Sequence, residues 1–319
     1  MSALELAIAL ALSIPVTAAP HYIPLHRAAP VTGAVVWMLA LLLRALVVVG
    51  VATFVFARLA HTDLLEAALN WCWHEVLPDI PGWLGFAEHP VAHAAVAVPV
   101  FAIAAAVLTH AFGGLRAWVG LRRRLYGAGS VGPEGAALLP GDEVVLAVTR
   151  FGRGQVVVSD RAVEVMDDEE LAAGMAHEFA HLHRRHRPLL LLASLLSTIG
   201  RPLPGTATAH RELCFQLERD ADAWAVRRLH DPLSLASAIC KVAGAMEPRG
   251  TASLAGGGPV TRRLAELIGE GSVRSKRVEL AARVLATTIA GLVLALAIAA
   301  PTWANSLGDA RDGHICSHD

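Results

Sequence analysis

Residues 177–181 read His-Glu-Phe-Ala-His, which is the pattern H-E-x-x-H. In a helix, residues four apart lie on one face, about one turn from each other. His177 and His181 can therefore bind the same metal ion, and Glu178 beside them can act as a general base. The pattern is typical of zinc hydrolases, so it predicts Zn²⁺ as the cofactor.

The sequence around this motif predicts a helix over Asp167–His186. Asp167 is a suitable N-cap, and Glu170 stands at the third helical position, where it can close a capping box. Part of an apolar stripe follows on the same helix: Leu171, Met175 and Leu182. The two histidines and Glu178 are therefore expected on a regular helix.

A carboxylate 37 residues after the motif can complete the metal site. Glu218 lies in Leu213–Leu229, which also has the pattern of a helix. Asp222, one turn further on, can accept a hydrogen bond from the free ring N–H of a ligating histidine and so orient it. Three other candidates for the third ligand remain open at this point: Asp220, Glu212 and His210.

Two further histidines, His183 and His186, follow the motif. With the neighbouring arginines they are expected to form a basic helix end, which the helix dipole favours. We therefore do not predict them as ligands.

The composition indicates an integral membrane protein. Of the 319 residues, 55% are apolar and only 17% are charged, against about 25% charged in soluble domains. The net charge of −1 gives no indication of direct nucleic-acid binding. Four segments are predicted to span a membrane as helices, the first of them short: Leu4–Ala19, Gly33–Ala57, Val91–Phe112 and Leu280–Ala300. A signal peptide is the alternative for Leu4–Ala19, but this segment lacks a basic start and carries Glu5, which favours an uncleaved helix.

The distribution of basic residues predicts the orientation. Of the 27 Lys and Arg residues, 22 lie between Arg116 and Arg277, whereas the loop Arg58–Pro90 carries a single Arg and five acids. The positive-inside rule therefore places the catalytic region in the cytoplasm and that loop outside. The expected domains are a membrane domain (1–112), a cytoplasmic domain with the zinc-binding motif (113–278), and a last helix with an extracytoplasmic tail (279–319).

Several smaller features lead to further expectations. Arg44 lies within a predicted span and needs a partner that the sequence does not identify. Cys72 and Cys316 are both expected on the outer side of the membrane. A disulfide between them is therefore an open question. Asp231-Pro232 begins a helix that reaches about Met246, and Pro259–Ile268 forms another after a glycine-rich linker at Gly250–Gly258.

The motifs resemble those of membrane-bound gluzincin metallopeptidases. The order of the predicted spans is similar to the M56 family, which includes antibiotic-sensor proteases. The spacing from Glu218 to Asp222 is similar to the M48 family. This resemblance implies Zn²⁺ held by His177, His181 and Glu218, with Glu178 as general base and Asp222 as support.

The resemblance also implies that Gly154–Ser159 is a strand bordering the active-site cleft. Its composition is typical of a strand, and it can pair with Val144–Val148 across a turn. A peptide could add to such a strand by main-chain hydrogen bonds. The oxyanion-stabilising group stays unassigned, with three candidates: His210, Arg227 and His230.

Taken together, the sequence predicts a mainly α, polytopic membrane protein. About four transmembrane helices are expected, with a cytoplasmic zincin-like α+β catalytic domain inserted before the last one. The expected activity is a zinc-dependent endopeptidase in the cell membrane, and the expected partners are a protein or peptide substrate and the lipid bilayer. A homodimer is left open. The resemblance implies either a transcriptional repressor in a signalling pathway or damaged membrane proteins as the substrate. A non-catalytic zinc-binding receptor or scaffold is the alternative from another class.

Overall fold

The computed structural model describes residues 3–59, 90–125, 132–149, 155–246, 258–269 and 274–315. In these residues the protein is mostly helical, with one small sheet. The helices are α1 (Ala3–Ala18), α2 (Pro30–Leu59), α3 (Pro90–Leu125), α4 (Asp160–Val165), α5 (Asp168–His183), α6 (His186–Ile199), α7 (Thr206–Leu229), α8 (Pro232–Met246), α9 (Pro259–Leu267) and α10 (Lys276–Ile315). The strands are β1 (Ala137–Leu139), β2 (Leu146–Val148) and β3 (Val156–Ser159).

The sheet has β3 in its centre. β3 pairs with β1 in parallel and with β2 antiparallel, so the predicted pairing of these last two segments is confirmed. All four residues of β3 are buried, because the sheet packs against α5 and the neighbouring α4. Within the described sheet, β2 therefore keeps one edge without a strand partner.

Helix α5 begins as the sequence predicts but ends earlier. The Asp167 carboxylate accepts from the Glu170 N–H at 2.8 Å, and the Glu170 carboxylate accepts from the Asp167 N–H at 2.9 Å. The predicted helix to His186 is wrong at its end, because α5 stops at His183. Arg185 adopts a left-handed conformation with φ 54°, which interrupts the helix before α6 starts.

Helix α2 is the centre of the helical packing. It contacts α1, α3, α6, α7 and α10. At its start, the Glu279 carboxylate accepts from the Ala29 N–H at 2.8 Å and from the Thr32 hydroxyl at 2.7 Å. A carboxylate there opposes the positive end of the helix dipole. Since Glu279 lies in the first turn of α10, α2 and α10 start side by side.

Two helices are long and apolar enough to cross a membrane. The candidate spans are Pro30–Val55 in α2 and Lys276–Ile298 in α10, selected by length and composition among the described residues. α1 is helical but has only 16 residues, and in α3 the apolar stretch that qualifies is the shorter Ile103–Arg116. Among the described residues, two of the four predicted spans are thus long and apolar enough to cross a membrane.

Arg44 finds its partner beside the turn that joins α6 to α7. Its side chain is only 1% exposed, and its Nη2 atom lies 3.1 Å from Nε2 of His21. Gly205 in that turn has φ +83°, and a Cβ there would lie 3.2 Å from Nη2 of Arg44. The turn therefore uses glycine both for its backbone conformation and for the close approach of Arg44.

Other expectations are settled or fall outside the described residues. The helices predicted after Asp231 and at Pro259 are confirmed as α8 and α9. Some expectations concern residues outside the described ranges: positions 60–89 of the predicted outer loop, which include Cys72, together with Cys316 and positions 250–257 of the predicted linker.

Helices α2 and α7 pack tightly at Gly33, which predicts a destabilised Gly33→Ala variant. A Cβ there would lie 2.7 Å from Cδ of Gln216, a fully buried side chain whose Oε1 accepts from Arg219 at 2.7 Å. Overpacking of this kind costs about 1–3 kcal/mol. We expect a lower midpoint in thermal unfolding of the purified protein.

Gly291→Ala provides the matched control. Gly291 is also a helical glycine, in α10, but a Cβ there meets no atom within 4 Å. This variant should keep or raise the midpoint, because alanine favours a helix over glycine by about 1 kcal/mol. Equal midpoints for both variants would contradict the tight packing at Gly33.

Candidate active site

Helices α5 and α7 bring two histidines and a glutamate together. Nε2 of His177 lies 3.2 Å from Nε2 of His181. Oε2 of Glu218 lies 3.4 Å from Nε2 of His177, and Oε1 lies 3.5 Å from Nε2 of His181. The three ligand atoms lie within 4.8 Å of one another, and both imidazoles are buried. Two nitrogens and one carboxylate oxygen facing a common point form a donor set that suits Zn²⁺.

The rival third ligands lie elsewhere. Glu212 pairs with Arg262, with Oε1 at 2.7 Å from Nη1. His210 lines a separate cavity between α3, α6 and α7. Asp220 pairs with Arg184 on another side of α7. Of the four acidic and histidine candidates, the structure brings only Glu218 to the two histidines of the motif.

On one side of the cluster, Asp222 orients His177. Its Oδ1 lies 2.9 Å from Nδ1 of His177, which leaves Nε2 facing the cluster. Arg263 of α9 donates to both oxygens of Asp222, at 2.7 and 2.8 Å. Arg263 also places Nη1 2.8 Å from Oε2 of Glu218. One guanidinium therefore holds both carboxylates of α7 that face His177.

On the other side, His186 supports His181, and this corrects the expectation of a basic helix end. Nδ1 of His186 lies 3.0 Å from Nδ1 of His181, and its Nε2 lies 3.2 Å from Oδ2 of Asp220. Arg184 donates to both oxygens of Asp220, each at 2.9 Å. The left-handed turn at Arg185 brings the buried His186 behind His181, at the ring nitrogen that faces away from the cluster. His183, by contrast, is exposed and is not part of the cluster, in agreement with its expected place off the metal-binding face.

The buried charges separate the pKa values of the two histidines. Burial disfavours the imidazolium of His177, but the carboxylates of Asp222 and Glu218 outweigh this and raise its pKa to about 10. Burial lowers the pKa of His181 to about 4, against the attraction of Glu218. For Glu218, His177 and Arg263 outweigh the opposing effect of burial and lower the pKa to about 2.

Arg263, like His186, supports the site although the sequence did not predict it there. Two of the predicted oxyanion candidates, Arg227 and His230, lie exposed at the end of α7, and His210 lines the separate cavity. Nothing in the sequence distinguishes Arg263 from its neighbour Arg262. Only the packing of α9 on α7 directs Arg263 towards the histidine cluster.

Glu178 lies on the wall of a cavity next to the cluster. The cavity has a volume of about 200 Å³, and His177, Glu218 and Arg263 also line it. Burial raises the pKa of Glu178 to about 7, although the charge on His177 and the backbone N–H of Val148 favour the carboxylate. A carboxylate with a pKa near neutrality can both accept and donate a proton.

The strand at this cavity is β2, not the predicted Gly154–Ser159. Leu146 of β2 lines the cavity, and Val148 of the same strand contacts Glu178. The expectation was wrong because β3 lies between two strands, so its backbone groups are already paired. The opposite wall is apolar and comes mainly from α8: Leu235, Ala238, Ile239, Val242 and Ala243.

Comparison with known proteins supports a metallopeptidase. Residues 147–207 match the sequence profile of Peptidase family M48. This segment runs from β2 to the start of α7 and covers about a fifth of the chain. It contains His177, Glu178 and His181, but not Glu218. No curated protein and no solved structure matches the chain. Over this segment the chain is similar to M48-type metallopeptidases, and no comparison matches the M56 family.

Proposed function

We propose that the protein is a membrane-bound zinc endopeptidase that hydrolyses peptide bonds of a protein substrate. The match to Peptidase family M48 suggests a zinc metalloprotease. The observation that carries the proposal is the convergence of His177, His181 and Glu218 on one point, with Glu178 on the wall of the adjoining cavity. These four residues supply the ligands and the base that metal-assisted hydrolysis requires.

The three clustered side chains would hold the metal. Each histidine would bind through Nε2, since the Nδ1 atoms already face Asp222 and His186. When bound, Zn²⁺ supplies Lewis-acid polarisation of the scissile carbonyl. The remaining chemistry belongs to the chain's own groups.

Glu178 would carry the proton during hydrolysis. It accepts a proton from the attacking water and then donates it to the nitrogen of the leaving amine. Its pKa of about 7 in the buried site suits both steps near neutral pH. Arg263 has its guanidinium against Asp222 and Glu218, so we assign it to positioning these carboxylates.

The free edge of β2 would receive the substrate. An extended peptide can pair with an unpartnered strand through main-chain hydrogen bonds, largely independent of its sequence. The apolar wall from α8 would then accommodate an apolar side chain next to the scissile bond.

The exposure of α10 supports a membrane location. Its candidate span is apolar, yet only 17% of that window is buried within the protein. Exposed leucine, valine and isoleucine side chains along a helix are costly in water and stable in lipid. We propose a multi-pass protein of the cell membrane with the active site in the cytoplasm, an orientation that rests on the basic residues of the catalytic region.

The natural substrate has two candidates. A transcriptional repressor was expected from similarity to the M56 family, which no comparison matches. The match to Peptidase family M48 instead favours clearance of damaged membrane proteins as the second candidate. The chemistry is the same for both.

Glu178→Gln should abolish proteolysis and leave zinc binding intact. Glutamine keeps the shape of glutamate but cannot accept the proton, and loss of a general base slows hydrolysis about 100-fold or more. Cleavage of an unfolded protein and zinc content are measured on the same samples.

Glu169→Gln is the matched control, because Glu169 is an exposed glutamate of the same helix. It should retain both zinc and cleavage. About one zinc per chain in every sample, with no cleavage even in the parent, would support the non-catalytic receptor instead. Equal cleavage by Glu178→Gln and the parent would refute the role of Glu178.

His186→Ala should weaken zinc binding about tenfold or more. The substitution leaves Nδ1 of His181 without its partner and frees the imidazole to rotate. Affinity is measured by competition with a chelator of known zinc affinity. His183→Ala, in the exposed last turn of α5, should leave the affinity unchanged. The same affinity in both variants would exclude a supporting role for His186.

Zinc binding near neutral pH should release about one proton. His177, with a pKa of about 10, is protonated in the metal-free site, whereas a ligand must be neutral. Because each bound ion displaces this proton, affinity should fall about tenfold for each pH unit of acidification. Calorimetry in buffers of different ionisation enthalpy measures the release.

Asp222→Asn tests the cause of that proton release. Without the neighbouring carboxylate, the pKa of His177 should fall, so that zinc binding releases less than one proton and depends less on pH. An unchanged release in this variant would show that the displaced proton comes from another group.

A further inference from the structure

A second cavity lies between α3, α6 and α7, next to the segment that supports His181. It has a volume of about 420 Å³. Arg187 of α6 and His210 of α7 line it together with His110 of α3, and no Asp or Glu lines it. Among the described residues it is therefore a basic cavity without an acidic counterpart.

Arg187 lacks a partner within the described structure. Its Nε atom is buried and makes no hydrogen bond. Burial lowers the pKa of Arg187 and also that of His210, and no carboxylate opposes the effect at either group. A buried guanidinium N–H without an acceptor is costly, so an external anion would stabilise it.

His110 connects two walls of the cavity. Its Nδ1 donates to the Ala106 carbonyl at 2.8 Å, so Nε2 is left to accept from the Ser194 hydroxyl at 3.0 Å. The Thr198 hydroxyl lies 3.2 Å from Nε2 and donates to the Ser194 carbonyl at 3.0 Å. These hydrogen bonds join α3 to α6. The spacing between the two helices is thus set by the protein and does not depend on a ligand.

An apolar groove continues from this cavity along the seam of α3 and α6. It has a volume of about 670 Å³, shares Thr109 with the basic cavity, and is lined by side chains such as Val48, Ala52 and Ile103. The α3 residues that line the groove come before those that line the cavity in the sequence. In α6, the residues that line the groove come after those that line the cavity. The seam therefore joins the basic cavity to a groove that is mainly apolar and has Arg201 as its one charged lining residue among the described residues.

We propose that this seam binds an anionic phospholipid, with its phosphate at Arg187 and His210 and an acyl chain in the groove beside α2. Charge complementarity selects the headgroup, because a basic cavity between helices at a membrane surface attracts anionic lipid. The exposed apolar side chains of α3, which include Phe101, Leu108 and Phe112, give the lipid access from the bilayer. The inference rests on the membrane location proposed above.

The site also lies next to the candidate active site. Arg187 directly follows His186, whose imidazole contacts His181 at 3.0 Å. A phosphate bound at Arg187 would stabilise the first turn of α6, since anions favour helix N-termini. Bound lipid would thereby stabilise the position of His186.

The test measures lipid retained by the full-length protein purified from mixed micelles. Native mass spectrometry compares phosphatidylglycerol, which is anionic, with phosphatidylcholine, which is zwitterionic. We expect the parent to retain phosphatidylglycerol in preference. Arg187→Gln should lower its retention about tenfold, because a charge-assisted phosphate contact is lost.

Arg211→Gln is the matched control, since Arg211 is an exposed arginine of α7 that does not line the cavity. It should retain phosphatidylglycerol like the parent. Ala52→Trp, which fills the groove, should lower lipid retention but leave binding of glycerol phosphate unchanged. Zinc content of each variant reports whether the fold survives, independently of any peptidase activity.

Two outcomes would overturn the lipid site. Equal phosphatidylglycerol retention by the Arg187→Gln and Arg211→Gln variants would exclude Arg187 as the headgroup ligand. Full displacement of the lipid by glycerol phosphate would show a site for soluble anions. A protein that purifies without detergent would instead contradict the proposed membrane location. That result can be told apart from the two outcomes that overturn the lipid site.

Discussion

The charges buried between α5, α7 and α9 each require an opposite charge at hydrogen-bond distance, and this requirement positions the helices around the candidate active site. Arg263 meets both Asp222 and Glu218, Arg219 meets Glu266, and Arg262 meets Glu212, so four ion pairs connect α7 to α9 among the described residues. Asp220 meets Arg184 at the end of α5. Because rotation of α7 about its axis would separate these buried charges from their partners, that rotation is restricted on several sides.

The same ion pairs determine how the two motif histidines differ. His177 contacts a carboxylate directly, whereas His181 reaches Asp220 only through the imidazole of His186. The direct carboxylate raises the pKa of His177, while burial dominates for His181 and lowers its pKa. Both rings nevertheless keep Nε2 towards Glu218. Asp222 and His186 thus orient the two histidines in different ways, and both Nε2 atoms still face the same point. Groups that hydrogen-bond to metal ligands are expected to orient them in this way.

Helix α7 connects this site to the apolar helices. Its first turn lies beside Arg44 of α2, and Glu218 and Asp222 lie near its middle. Twelve residues separate Thr206 from Glu218, so roughly 18 Å of continuous helix joins the two regions. A change where α2, α6 and α7 meet can therefore reach the metal ligands through one rigid element. The basic cavity between α3 and α6 lies beside this path.

The sequence by itself determined the features that depend on local periodicity. The capping box of Asp167, the one-turn spacing of His177 and His181, and the spacing of Glu218 and Asp222 all follow from 3.6 residues per helical turn. Contacts between distant segments determined the rest. A left-handed Arg185 turns His186 back to His181, the packing of α9 selects Arg263 over Arg262, and the order of the strands exposes β2. Each of these features depends on which distant segments pack against each other. The spacing of residues along one helix or strand does not contain this information.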